Sequence, residues 1–219
     1  MDTNILVEYL PLYRDAFFLT LKIGWLGILL AFGIGILAAA IVHFRIPVLK
    51  TIIGAYVEVF RNTPLLVQLF FIYFALPKVG IRISAEMCGI LGLGLLGGAY
   101  MAETFRSGLD SVAPIQTESA LSLGMTRGQV FLHVVLPQAI SVSVPGILAN
   151  VIFLLKETSV FSTISLMDLM FTAKDLIGMY AKTIECLFLL VVFYLFMLLP
   201  VSFLGRFLER RIRYAEFGD

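Results

Sequence analysis

Long apolar runs separated by short polar stretches set the pattern of this chain. Residues 23–42 and 186–205 carry no charged side chain, and a spanning helix needs about 20 mostly apolar residues. Three further segments are shorter or interrupted. Residues 51–76 contain Glu58 and Arg61, residues 85–105 have an uncharged centre at 87–102, and residues 134–155 follow a polar stretch. The pattern predicts an all-α integral membrane protein, about five transmembrane helices in one domain spanning 1–219. Residues 158–169 either extend the fourth span or form a separate short helix beside it. In the third span, CGILGLGLLGGAYMA sets Gly94 and Gly98 four apart among Gly89, Gly92 and Gly97. Such small residues let helices approach closely in lipid, within one subunit or between two. Pro137 and Pro145 weaken or kink the fourth span.

One stretch breaks the apolar pattern. ESALSLGMTRGQVFLHVVLP, residues 118–137, is small and polar and carries Glu118, Arg127 and His133. Residues 116–123 have the propensity for a short helix. Gly124 stops it, because glycine accepts the left-handed conformation at a helix end. Thr126 then caps a second helix, TRGQVFLHVV, leading into the membrane. The segment reads either as a compact helix-turn-helix lying under the bilayer or as an ordinary loop.

Composition sharpens the class. Of 219 residues, 60% are hydrophobic and 14% charged, whereas soluble domains are roughly half apolar. A net charge of +1 leaves no footprint for nucleic acid. Cys88 and Cys186 sit in apolar runs and read as small buried hydrophobes, not a disulfide or zinc framework. His43 and His133 read as interfacial, and no metal-ligand or nucleophile constellation appears, which argues against a membrane enzyme. The N-terminus lacks a basic stretch and cleavage site, so the first apolar segment is expected to stay in the membrane. Arg206, Arg210, Arg211 and Arg213 form the densest basic cluster, which places the C-terminus in the cytoplasm. An odd number of spans then puts the N-terminus outside, and the loop with His43, Arg45 and Lys50 inside together with residues 114–133.

Ionisable groups within spans cost about 2.5–3.5 kcal/mol each on insertion scales and usually face a cavity. Glu103 and Arg106, one helical turn apart, are expected to pair. Arg61 either snorkels, pairs with Glu58 or faces a cavity. Lys156 and Glu157 are adjacent, so they point to different helix faces, and a polar cavity is expected there. Asp168 follows in SLMDLM.

The polar stretch resembles the EAA loop of ABC importer permeases. Glu118, Ser119 and Ala120, then Gly124, then Val134 and Leu136-Pro137 fall at that family's spacing, with Ser119 in place of alanine and Val134 in place of isoleucine. YVEVFRNTPLLVQLFFIYFALP, GGAYMAETFRSGLDSV, SLGMTRGQVFLHVVLPQAI and NVIFLLKETSVFSTISLMDL resemble the polar amino acid uptake branch, over about three quarters of the chain. The resemblance implies a type I ABC importer permease fold in a bacterial inner membrane. It implies a coupling helix at about 114–133, with Glu118, Ser119, Ala120 and Gly124 docking onto an ATP-binding cassette ATPase dimer. It further implies an identical or homologous permease partner and an extracytoplasmic amino-acid-binding protein. ATP and Mg belong to the ATPase, since this chain has no G-x-x-x-x-G-K-[ST] loop and implies no cofactor of its own.

A zwitterionic substrate needs a cation or helix N-terminus for its carboxylate and an acid for its ammonium. Arg61, Asn150, Glu157, Ser159 and Asp168 supply such a set, and the KETS segment at 156–159 matches one in amino acid permeases. A net acidic pocket favours cationic or neutral polar amino acids over glutamate. The competing expectation is an ion-coupled secondary transporter with Glu103, Glu157 and Asp168 relaying protons. The absence of an evident internal repeat speaks against it.

Overall fold

A computed structural model describes residues 3–44 and 46–217, with side chains for 6–44 and 46–212. Arg45 and the side chain of Arg213 lie outside the described residues. The chain is helical throughout, with no strand among the described residues. The first helix, α1 (Thr3–His43), is far longer than the predicted apolar run. Its polar start is held by packing: Tyr13 is fully buried and its hydroxyl donates to the Cys186 carbonyl at 2.7 Å.

The second apolar segment, interrupted in sequence by Glu58 and Arg61, is a bent pair of helices. It divides into α2 (Leu49–Arg61) and α3 (Leu65–Phe70), and α3 continues helically to Val79 at 105° to α2. Pro64 is the cause. It donates no N–H, and it disfavours helical geometry at the residue before it. Side chains bond the carbonyls around the break, in addition to the Asn62 backbone N–H that still reaches the Glu58 carbonyl at 3.2 Å. Asn62 Nδ2 donates to the Glu58 carbonyl at 2.7 Å, Thr63 Oγ1 to that of Val59 at 2.7 Å, and Gln68 Nε2 to those of Phe60 and Thr63 at 3.0 Å each. That satisfaction lets a sharp elbow sit at membrane depth.

The helix α4 (Ala85–Asp110) is the hub, 61% buried over its apolar window, against 17% for the last helix, α9 (Thr183–Phe217). Its glycines let neighbours approach within the chain. A Cβ on Gly94 lies 2.5 Å from Leu30 of α1, and one on Gly97 lies 2.6 Å from Leu154. The glycine-rich run therefore serves packing inside one subunit. Cys88 and Cys186 are buried free thiols.

After α4 come α5 (Pro114–Ser122) and α6 (Arg127–Val130), and α6 passes through a wide turn into α7 (Leu136–Glu157). Wide π-type turns occur at Phe71–Ala75 and Phe131–Val135. Each ends two residues before a proline, Pro77 or Pro137, where the widened backbone accommodates the ring that a regular turn rejects. Beyond α7, the short helix expected near residues 158–169 is present, and it follows the span without a break. A tight 3₁₀ turn, Thr158–Ile164, ends at Ser165 in the left-handed region (φ 58), and α8 (Leu169–Tyr180) starts afterwards. By length and composition four helices can cross a membrane, or five if α2 and α3 make one broken span.

Candidate functional site

Two polar features stand out, and they are built differently. The first is the hairpin α5–α6. Pro114 opens α5 at a position where its missing N–H costs nothing. At the other end Gly124 has φ +85, its N–H bonds the Leu121 carbonyl at 2.9 Å, and the Met125 N–H bonds that of Ala120 at 3.2 Å. This paired bonding is the Schellman termination. Thr126 then caps α6 in a reciprocal capping box: the Gln129 N–H reaches Thr126 Oγ1 at 3.4 Å, and the Thr126 N–H reaches Gln129 Oε1 at 2.8 Å. Ala120 is buried against Val130 and Val135, so a small residue is needed there. Glu118 and Ser119 face out, beside exposed Ile115, Leu121 and Leu123, the last 85% exposed.

The second feature is a cavity of about 360 Å³ at the α2–α3 elbow. Arg61, Asn62 and Thr63 line it from the elbow, Tyr100 from α4, and Glu157 from the end of α7. Arg61 and Glu157 thus place opposite charges in one cavity from segments almost a hundred residues apart. The Arg61 guanidinium lies 5.4 Å from the centre of the Tyr100 ring, within cation–π range. It also lies 3.8 Å from the Glu103 carboxylate. Glu103 pairs with Arg106, as their spacing predicts, and Arg106 reaches Asp110 at 3.1 Å. Arg61 therefore pairs across to α4 and not with Glu58, whose carboxylate instead accepts from Asn62 Nδ2 at 3.1 Å.

The remaining candidates lie elsewhere. Asn150 donates to Thr104 Oγ1 at 2.9 Å, tying α7 to α4. Ser159 is half-buried in the 3₁₀ turn, and its carbonyl accepts from Ser162 at 3.2 Å. Asp168 is 0% exposed and caps α8, with its two oxygens accepting from Met170 and Phe171 N–H at 3.2 and 3.0 Å. Neither Asn150, Ser159 nor Asp168 lines the cavity of Arg61 and Glu157. Tyr100, beside Asn62 and Thr63, is a polar cavity residue that sequence reasoning missed. Its signal is the three-residue step Tyr100, Glu103, Arg106, which puts all three on one face of α4.

A bundle of apolar helices, a polar hairpin and a charged cavity at a broken span define a membrane transport component. The chain belongs to the family of binding-protein-dependent transport system inner membrane components, whose model matches residues 31–214. It is 34% identical over 216 residues, 97% of this chain and 98% of the other, to the "Probable glutamine ABC transporter permease protein GlnM" of Bacillus subtilis (strain 168). It is likewise 34% identical over 176 residues, 79% of each chain, to the "Probable amino-acid ABC transporter permease protein PatM" of Vibrio harveyi. Among solved structures, an amino acid ABC transporter crystallised with histidines superposes with a TM-score of 0.90 at 34% identity, over 96% of this chain and 99% of that one. The inward-facing MetNI methionine ABC transporter, at 18% identity and a TM-score of 0.78 over 94% and 98%, shares the fold. The chain is thus an ABC importer permease, with the type I fold, and not an ion-coupled carrier.

Proposed function

We propose that this permease carries polar amino acids inward across a bacterial cytoplasmic membrane, driven by ATP hydrolysis in a separate ATPase dimer. The observation that carries the reading is the cavity that Arg61 and Glu157 both line. Arg61 suits a substrate carboxylate and Glu157 its ammonium. Names of relatives at 34% identity, which mention glutamine or amino acids, support the same substrate class. Asn150, Ser159 and Asp168 belong to the surrounding frame: Asn150 fixes α7 on α4, and Asp168 fixes the start of α8.

The ATPase docks on the α5–α6 hairpin. Glu118 and Ser119 offer polar contacts and Ile115, Leu121 and Leu123 an apolar surface, while Ala120 and Gly124 set the hairpin's shape. ATP and Mg sit in that partner, and an extracytoplasmic binding protein delivers the substrate. A second permease, identical or homologous, completes the pathway. The arginines 206, 210 and 211 near the end of α9 favour a cytoplasmic C-terminus and an N-terminus outside.

Native mass spectrometry of the gently solubilised, tagged chain tests the docking, beside a Glu118→Lys, Gly124→Pro variant. The expected spectrum shows two permeases with two ATPase chains, and the variant loses the ATPases. A stable particle without ATPase in either sample refutes the docking. Uptake of radiolabelled L-glutamine and L-histidine into proteoliposomes tests the substrate class: ATP-dependent uptake that Glu157→Gln lowers is expected, and uptake indifferent to ATP refutes the reading.

A further inference from the structure

Two cavities follow one another along the same pair of helices. The first takes Arg61 from α2 and Tyr100 from α4. A second, of about 300 Å³, takes Glu58 from one turn earlier on α2 and Glu103 from one turn later on α4. A helical turn rises about 5.4 Å, so a small molecule leaving the first cavity advances by little more than that to reach the second. The second lies toward the end of α4 that leads into α5. Its apolar wall mixes small groups, Ala38 and Ala39 of α1 and Gly54 of α2, with the branched Val42, Ile53 and Val57. Its volume is at the lower end of the range for ligand pockets, roughly 300–1,000 Å³, which suits a small polar solute.

Lys50 and Arg106 complete its polar wall. Arg106 is committed to Glu103 and Asp110. Lys50 makes no ion pair among the described residues, and Glu58 meets only the Asn62 amide. Lys50 and Glu58 are exposed and lack charged partners among the described residues, so both are open to a polar solute that enters this cavity. The Arg61–Glu103 pair, 3.8 Å apart, joins the wall of the first cavity to the wall of the second.

We infer that the second cavity is a further binding station for an amino acid zwitterion, on the α5–α6 side of the first, and that the Arg61–Glu103 pair is the gate between the two. Lys50 faces the carboxylate, and Glu58 with Glu103 faces the ammonium. The pair parts when the substrate's own charges replace it, Arg61 turning to the carboxylate and Glu103 to the ammonium. This rests on the reading of the first cavity given above.

The test uses the full complex with its ATPase, in lipid nanodiscs, and equilibrium binding of radiolabelled L-glutamine and L-histidine. Two molecules per permease are expected in the parent protein. Glu157→Gln leaves one, Lys50→Gln with Glu58→Gln also leaves one, and the conservative pair Lys50→Arg with Glu58→Asp keeps two. One molecule per permease, removed by Glu157→Gln alone, overturns the second station and leaves the first intact. No binding in the parent protein, or binding untouched by Glu157→Gln, overturns the first reading and this one with it. For the gate, Arg61→Gln with Glu103→Gln is expected to raise ATP-independent efflux from loaded proteoliposomes about tenfold, as removing 1.4 kcal/mol of barrier does. Unchanged efflux overturns the gate.

Discussion

The hairpin α5–α6 and the elbow cavity are both polar islands in an apolar chain, yet they are specified at opposite ranges. In the hairpin every decisive interaction lies within about five residues along the chain: Gly124 to Leu121, Met125 to Ala120, Thr126 to Gln129. At the cavity the decisive neighbours are far apart in sequence: Arg61 meets Glu103, and Glu157 arrives from the end of α7. A locally specified element keeps its shape while the rest of the bundle moves, which suits a rigid contact with another protein. A site assembled from three separate helices changes whenever those helices shift, which suits a substrate path that opens and closes.

That contrast can be broken at graded strength. The largest effect is expected at the hub on which the cavity depends. Gly97→Leu drives a side chain into Leu154, already 2.6 Å from where a Cβ would be, and overpacking costs about 1–3 kcal/mol or more. The folded yield in detergent should collapse, and a normal yield with a normal melting temperature would show that α4 and α7 separate easily. Next comes the elbow. Pro64→Ala restores an N–H and relaxes the restraint on Thr63, so α2 and α3 are expected to straighten. Binding of L-glutamine to the complex should fall about tenfold, equivalent to roughly 1.4 kcal/mol, while ATPase association measured by native mass spectrometry stays intact. Loss of both together would mean that the elbow and the hairpin are not independent.

Smaller effects belong to the hairpin. Gly124→Ala places a Cβ at φ +85, a left-handed conformation that costs about 1–2 kcal/mol. Weaker ATPase association is expected with amino acid binding unchanged. The smallest effect is Thr126→Ala, which removes the side-chain half of the capping box at a cost of about 0.5–2 kcal/mol. Hydrogen exchange at Arg127–Val130 should quicken while the rest of the chain keeps its protection. Faster exchange along α4 as well would show the hairpin coupled to the hub.

Legibility in the sequence follows the same division. The hairpin was readable because glycine at a helix end and threonine before one act through their own backbone geometry, and Gly124 and Thr126 fall where those rules put them. The pairing of Glu103 with Arg106 was readable from one helical turn of spacing. The glycine-rich run showed that helices approach closely, but not which ones, because a glycine records the need for space and not the identity of the neighbour. The 105° elbow falls where Glu58, Arg61 and Asn62 interrupt the second apolar segment, but its angle was not readable there. Its proline was visible, but the bend is held by Asn62, Thr63 and Gln68 bonding the carbonyls around it. Asp168 looked like a charge stranded in lipid. Its role as the cap of α8 emerges only because the 3₁₀ turn ends at Ser165 and a new helix starts just after Asp168.

By itself the sequence determined that this protein lives in a membrane, where its apolar segments lie, and where a polar stretch with helix-ending and capping residues interrupts them. Hydrophobic run length, helix-ending residues and capping residues act over a few positions, so no distant partner is needed to read them. Only the tertiary structure decided that Arg61, Tyr100, Glu103 and Glu157 come together while Asn150, Ser159 and Asp168 turn to other partners. The direction of a long charged side chain in an apolar bundle is set by whichever opposite charge or polar cavity the neighbouring helices bring within reach, and that arrangement exists only once the helices have packed.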